Sequence, residues 1–161
     1  ERVGVAPGTD PLDQGGMVLR VDDGLHLGLE VEHQANHAGP VAADAQLVDV
    51  RTDAEWNYVG LADLSSAGKQ VVPIQWQVFP TMQRNPAFVD QLKEAGFTPD
   101  HHIYFICRSG VRSLAAAEAA REAGFPHVYN VADGFEGPHD AAGHRGGGAG
   151  WKADGLPWRQ K

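Results

Sequence analysis

Residues 103–120 read IYFICRSGVRSLAAAEAA. A short apolar run, Ile103 to Ile106, ends on Cys107, the only cysteine in the chain, and a loop carrying two arginines leads from it into an alanine-rich stretch. A short apolar run bounded by turn residues is a buried strand. The alanine-rich stretch, closed by Gly124, is a helix with a glycine stop. Strand, tight loop and helix in this order curl the loop over the helix N-terminus. Gly110 permits the turn, because glycine adopts positive φ at little cost. The backbone N–H groups from Arg108 to Ser113 then point inward as an anion-binding nest. A thiolate on Cys107 gains from those amides, from the helix dipole and from the guanidinium groups of Arg108 and Arg112. The alternative is a small buried apolar cysteine closing a core strand. The two arginines, the glycine-bearing loop and the helix start favour a reactive thiol.

Outward from this stretch, strands and helices alternate. QLVDV (46–50) is a buried strand, and VVPI (71–74) is a second, with Pro73 confined to its edge or end. NPAFVDQLKEAG (85–96) is a helix with Asn85 as N-cap, Pro86 in the first turn and Gly96 past the end. HVYNV (127–131) closes the series as a strand. Such alternation implies an α/β fold, a parallel sheet covered by helices on both faces. Ligands bind such sheets beyond the carboxyl ends of the strands, where Cys107 lies. Residues 1–44 are set apart from a domain at 45–161: residues 1–16 form a Gly/Pro/Asp-rich arm. MVLRVDDGLHLGLEVEH (17–33) alternates around Asp23-Gly24 as a hairpin would.

The net charge of −8, from 21 acidic and 13 basic residues, argues against nucleic-acid and anionic-membrane partners. One cysteine allows neither an intrachain disulfide nor a multi-cysteine metal site. There is no apolar run of about 18 residues, the length of a membrane-spanning helix. The N-terminal stretch lacks the apolar h-region of a signal peptide, and the cytoplasm is expected over the periplasm.

CRSGVRS (107–113) resembles the active-site loop of rhodanese-family sulfurtransferases, the single-domain bacterial members in particular. LVDVRTDAEW (47–56) is similar to the family's strand ending in Asp-x-Arg, with an acidic and an aromatic residue after it. NVADGFEG (130–137) resembles its late strand and turn, and GWKADGLPW (150–158) its closing helix and tail. The resemblance implies a rhodanese-like sheet of about five parallel strands flanked by helices. It implies that Cys107 takes sulfane sulfur from a small-molecule donor such as thiosulfate, becomes a persulfide, and passes the sulfur to cyanide or a thiol. Arg108, Ser109, Gly110, Val111, Arg112 and Ser113 would bind the donor and the persulfide, and no cofactor or metal is implied. Where many members carry a Gly-His-Ile-Pro-Gly-Ala-like segment, this chain has NYVGLADLSSAGKQVVPIQW (57–76), so the pocket wall on that side is expected to differ.

Asp49 and Arg51 read as a structural ion pair bracing the cysteine loop, with Arg51 facing substrate as the alternative. Trp56 and Trp76 read as core rather than pocket wall. His33 and His37 have metal-ligand spacing without acidic or thiolate partners, so they read as solvent-facing or loop residues, as do His101 and His102. The RGGGAG stretch (145–150) lacks the Lys-Ser/Thr of a phosphate loop. Two functions compete with sulfur transfer. A thiolate phosphatase or arsenate reductase on the same scaffold would carry one more residue between cysteine and arginine than the four separating Cys107 from Arg112. A non-catalytic binding module would lack the cysteine.

Overall fold

In the computed structural model, residues 45–65 and 68–161 are described; the expected arm, hairpin and histidines at 33 and 37 lie outside them. The central sheet is built from β1 (Ala45–Asp49), β3 (Val72–Pro73), β6 (His102–Ile106) and β7 (Val128–Asn130). All pairings are parallel, in the order β3-β1-β6-β7. The expected parallel α/β sheet is therefore present, with four strands among the described residues against the about five implied by the resemblance. Among the described residues β3 is an edge strand, the position open to Pro73, which has no N–H for a second neighbour.

Strand periodicity divides the core in two. Val48, Ile103, Phe105 and Val128 face helices α2 (Phe88–Glu94) and α3 (Val111–Glu122), meeting Phe88, Leu92, Ala116, Ala117 and Ala120. The alanines let α3 lie close against the sheet. Leu47, Tyr104, Ile106 and Tyr129 face the other way, onto Ala62, Leu64, Phe135 and Trp151. Among the described residues, the two longer helices share the first of these faces, while β2 (Leu61–Ala62) and the segments after it and after β7 contribute apolar cover to the other.

Two local expectations shift. The helix over 85–96 begins at Phe88, and Asn85 acts one turn earlier, its carboxamide oxygen accepting from Ala87 N–H at 3.0 Å and its carbonyl from Phe88 N–H at 3.3 Å. Gly96 still ends the helix with φ +92°. The closing helix over 150–158 does not form: Gly150 and Gly155, at φ +99° and +74°, bracket too few residues for one. A run of turns leads instead to β8 (Trp158–Arg159), antiparallel to β2. Past β3, Ile74 N–H and Trp76 N–H donate to the carbonyls of Asp49 and Val50, at 3.0 Å each, carrying the chain across the end of β1. It then turns back as a hairpin, β4 (Gln77–Val78) with β5 (Gln83–Arg84).

Leu92 is fully buried between α2 and the sheet. Leu92→Ala is expected to cost about 2–5 kcal/mol through lost transfer energy and the cavity left behind. Urea unfolding would read this as a lower midpoint at unchanged slope.

Candidate active site

Cys107 follows β6 directly and is 1 % exposed. Its Sγ accepts from Gly110 N–H at 3.1 Å and lies 3.1 Å from Ser113 Oγ. Gly110 is the N-cap of α3 at φ +101°. The expected turn over a helix N-terminus is thus present, and the amides of Val111, Arg112 and Ser113 form its first turn, where no carbonyl lies four residues back within the helix. Ser113 Oγ donates to Asn130 Oδ1 at 2.6 Å, and Asn130 Nδ2 donates to Gly110 O at 3.1 Å. Ser113 and Asn130 are both buried.

The outer side of the loop is held by the segment after β7. Phe135 N–H donates to Cys107 O at 2.8 Å, while Glu136 and Gly137 N–H donate to Arg108 O at 2.9 and 3.1 Å. Contact this close excludes side chains. A Cβ on Gly110 would stand 2.0 Å from Ala132 O, and one on Gly134 would stand 2.6 Å from the carbonyl oxygens of Cys107 and Arg108. The Gly-rich stretch docks onto the same segment: Arg145 Nη1 donates to Gly137 O and Gly146 N–H to Glu136 O, each at 2.6 Å.

Arg112 is committed to Glu55. Its two terminal nitrogens donate to the two carboxylate oxygens at 2.8 and 2.7 Å. Glu55 also completes a capping box on α1 (Asp53–Tyr58), accepting from Thr52 N–H and Oγ1 at 2.9 Å each. Burial acts to raise the Glu55 pKa, but the Arg112 and Thr52 hydrogen bonds and the Arg112 charge outweigh it and lower it from 4.5 to about 2. Burial acts to lower the Arg112 pKa, and Glu55, with smaller help from Cys107 and Asp49, raises it overall. Arg108 is exposed beside the cysteine, Ser109 is half-buried, and Val111 is 76 % exposed at the head of α3.

Asp49 and Arg51 are fully buried and paired. Arg51 Nη2 donates to Asp49 Oδ2 at 2.7 Å and to Gly60 O at 2.6 Å, and its guanidinium lies 4.3 Å from the centroid of the Phe135 ring. This is the bracing arrangement, in which Arg51 supports the segment gripping Cys107 O and does not face solvent. Trp76 is core, stacked edge-on against Phe88, and Trp56 is half-buried on α1. His102 departs from the expectation of a solvent-facing or loop residue: it opens β6, half-buried, stacks on His127 at 4.6 Å, and has its Nδ1 3.1 Å from Tyr129 Oη. Asn130, Glu55 and Gly134 complete the site and were missed as site residues. Thr52-x-x-Glu55 carries the sequence signature of a capping box, whereas the reach of Glu55 to Arg112 and of Asn130 to Ser113 is set by tertiary structure.

A carboxylate with a depressed folded-state pKa contributes stability that is full above its unfolded value and is lost as pH falls through the folded one. Between pH 4.5 and 2, the native protein should therefore lose stability more steeply than a Glu55→Gln variant, as read by unfolding midpoints across that range. Gly134→Ala should destabilise the protein and perturb the cysteine loop, because the methyl group meets backbone at 2.6 Å and Gly134 sits at φ +66°. Denaturant unfolding and the rate of Cys107 alkylation would register the two effects.

With this geometry in view, the chain has informative relatives. It is 38 % identical to an uncharacterised protein from Rickettsia prowazekii, over 72 % of this chain and 84 % of that one. It is 28 % identical to rhodanese-like domain-containing protein 4, chloroplastic, from Arabidopsis thaliana, over 71 % of this chain and 22 % of that protein. The crystal structure of Rv0390 from M. tuberculosis matches with a TM-score of 0.66 and 50 % identity, covering 73 % of this chain and 86 % of that one. Residues 28–161 match the family described as the STR4 middle domain. The chain belongs to the STR4 middle domain family, a rhodanese-like α/β domain whose single thiol stands at the carboxyl end of the parallel sheet.

Proposed function

We infer that the protein is a sulfurtransferase that carries sulfane sulfur on Cys107. The observation that carries this reading is the seat of the sulfur: Sγ lies within hydrogen-bond reach of Gly110 N–H at the very start of α3. The first-turn amides and positive dipole end of the helix favour negative charge there. The thiolate attacks the outer sulfur of thiosulfate, forming the Cys107 S–S bond. The bond between the outer sulfur and the sulfonate sulfur breaks, and its electron pair leaves with sulfite. The enzyme is left as a persulfide anion. Cyanide, or a thiolate acceptor, then attacks the terminal sulfur, and the S–S electron pair returns to Cys107 as thiolate. Thiocyanate or an acceptor persulfide departs, and atoms and charge balance without an oxidant or cofactor.

The amides that favour the thiolate serve the persulfide anion equally, so one nest suits both charged states. Exposed Arg108 is the residue available to attract a dianionic donor, because Arg112 is held by both oxygens of Glu55. The same commitment weighs against a phosphatase or arsenate reductase, which needs its loop arginine free to clasp the oxyanion. The retained cysteine weighs against a purely non-catalytic module. The rhodanese-like name borne by the Arabidopsis relatives supports sulfur transfer.

Cys107→Ser should abolish thiocyanate formation from thiosulfate and cyanide, because the hydroxyl does not ionise to a comparable nucleophile; turnover surviving in that variant would put the nucleophile elsewhere. Arg108→Ala should weaken thiosulfate kcat/KM about tenfold or more, mainly through KM. p-Nitrophenyl phosphate should be turned over negligibly, and efficient hydrolysis would favour the phosphatase reading.

A further inference from the structure

The hydrogen bonds around Cys107 form a closed ring that returns to its starting residue, and its proton count is fixed. Asn130 Nδ2 faces Gly110 O, which accepts and never donates, so the amide nitrogen must point there and Oδ1 must face Ser113. Oδ1 cannot donate, so the single Ser113 hydroxyl proton lies between Ser113 and Asn130 at 2.6 Å. Ser113 Oγ then offers only a lone pair to Sγ, 3.1 Å away. That suits a neutral thiol, whose S–H donates to Oγ. It does not suit a thiolate, which would face the lone pair. One hydroxyl proton has two claimants.

We propose that Asn130 is a positioning residue that competes with Cys107 for the Ser113 hydroxyl, making Ser113 a rotor that follows the charge on the sulfur. With a thiol, the hydroxyl donates to Asn130. When the thiol proton is lost to solvent, the hydroxyl turns to Sγ, and Asn130 Oδ1, 1 % exposed with its residue, loses the donor it has among the described residues. A buried acceptor left without a donor is costly. When Sγ becomes the uncharged inner sulfur of a persulfide, the hydroxyl returns to Asn130. Asn130 thus disfavours the thiolate relative to both thiol and persulfide, and pulls the loading equilibrium toward persulfide. This last step rests on the sulfur-transfer reading; the rotor itself needs only Cys107 and its neighbours.

The charged groups around the sulfur are constant in this argument. Arg112 from α3 is paired with Glu55 from α1, and Asp49 is paired with Arg51 at the end of β1. Exposed Arg108 adjoins the cysteine, and Asp133 and Glu136 belong to the segment gripping the loop. None is altered by substitution at Ser113 or Asn130.

The test is the pH dependence of Cys107 alkylation by iodoacetamide in the intact protein, with fold checked by circular dichroism. Asn130→Leu, close in shape and without an acceptor, should move the half-maximal rate about one unit lower in pH, and Ser113→Ala should move it about one unit higher, the worth of one charge-assisted hydrogen bond. Ser113→Thr, which restores the hydroxyl, should return the half-point toward that of the native protein. The double variant Ser113→Ala/Asn130→Leu should match Ser113→Ala alone, because without the hydroxyl there is nothing to compete for. If Asn130→Leu does not fold, Asn130→Ala gives the same reading. A half-point that rises or stays put in the Asn130 variant, or a double variant equal to the sum of the singles, overturns the rotor. At a fixed ratio of thiosulfate to sulfite, the loaded fraction should be lower in Asn130→Leu than in the native protein, and an equal or higher fraction overturns the pull on loading. Alkylation uses no sulfur donor, so its failure strikes the rotor, whereas failure of the native protein to load at all strikes the sulfur-transfer reading.

Discussion

Two backbone segments approach to direct contact, and the site depends on that contact. The loop after β6 carries Cys107, and the segment after β7 presents three successive amides to the carbonyls of Cys107 and Arg108. Without these amides the carbonyl of buried Cys107 would lose its donor, a costly state. Gly110 and Gly134 make the approach possible, one from each side, since each would place a Cβ inside the other segment's backbone. Further supports converge on the same seam: the Arg51 guanidinium under Phe135, and the docking of Arg145 and Gly146 on Gly137 and Glu136. The sulfur is therefore held by backbone geometry, with few side-chain torsions left to vary.

Charge is distributed around this seat with little left over. Of the four arginines nearest the site in sequence or space, Arg51 and Arg112 are neutralised by Asp49 and Glu55, Arg145 is spent on a carbonyl, and Arg108 faces solvent. In a chain of net charge −8, an exposed arginine beside the thiol and a helix N-terminus beneath it concentrate positive charge at the sulfur. The paired arginines act differently, one fixing the head of α3 against α1 and the other fixing the floor beneath Phe135.

Much of this was legible in the sequence because it is local. The strand–loop–helix order around Cys107, the positive-φ need at Gly110 and the edge position of Pro73 each follow from the chemistry of a few adjacent residues, and the parallel sheet follows from their alternation. What stayed hidden is set by long-range approach. Glu55 and Arg112 are far apart in the chain and meet only because α1 and α3 abut at the sheet end. Asn130 reads as one more residue of a short buried strand until β7 is laid beside β6. The closing helix was implied by resemblance alone: in GWKADGLPW, glycines at positive φ and a proline leave turns that lead into a two-residue strand.

The central claim, that Cys107 carries transferable sulfur, is tested most directly by intact mass spectrometry of the native protein after thiosulfate, and again after cyanide. The account predicts a gain of one sulfur atom, located on the peptide containing Cys107, and its complete loss to cyanide with thiocyanate released. A mass unchanged by thiosulfate and by other sulfane donors, or a sulfur gain that persists in Cys107→Ser, would contradict it.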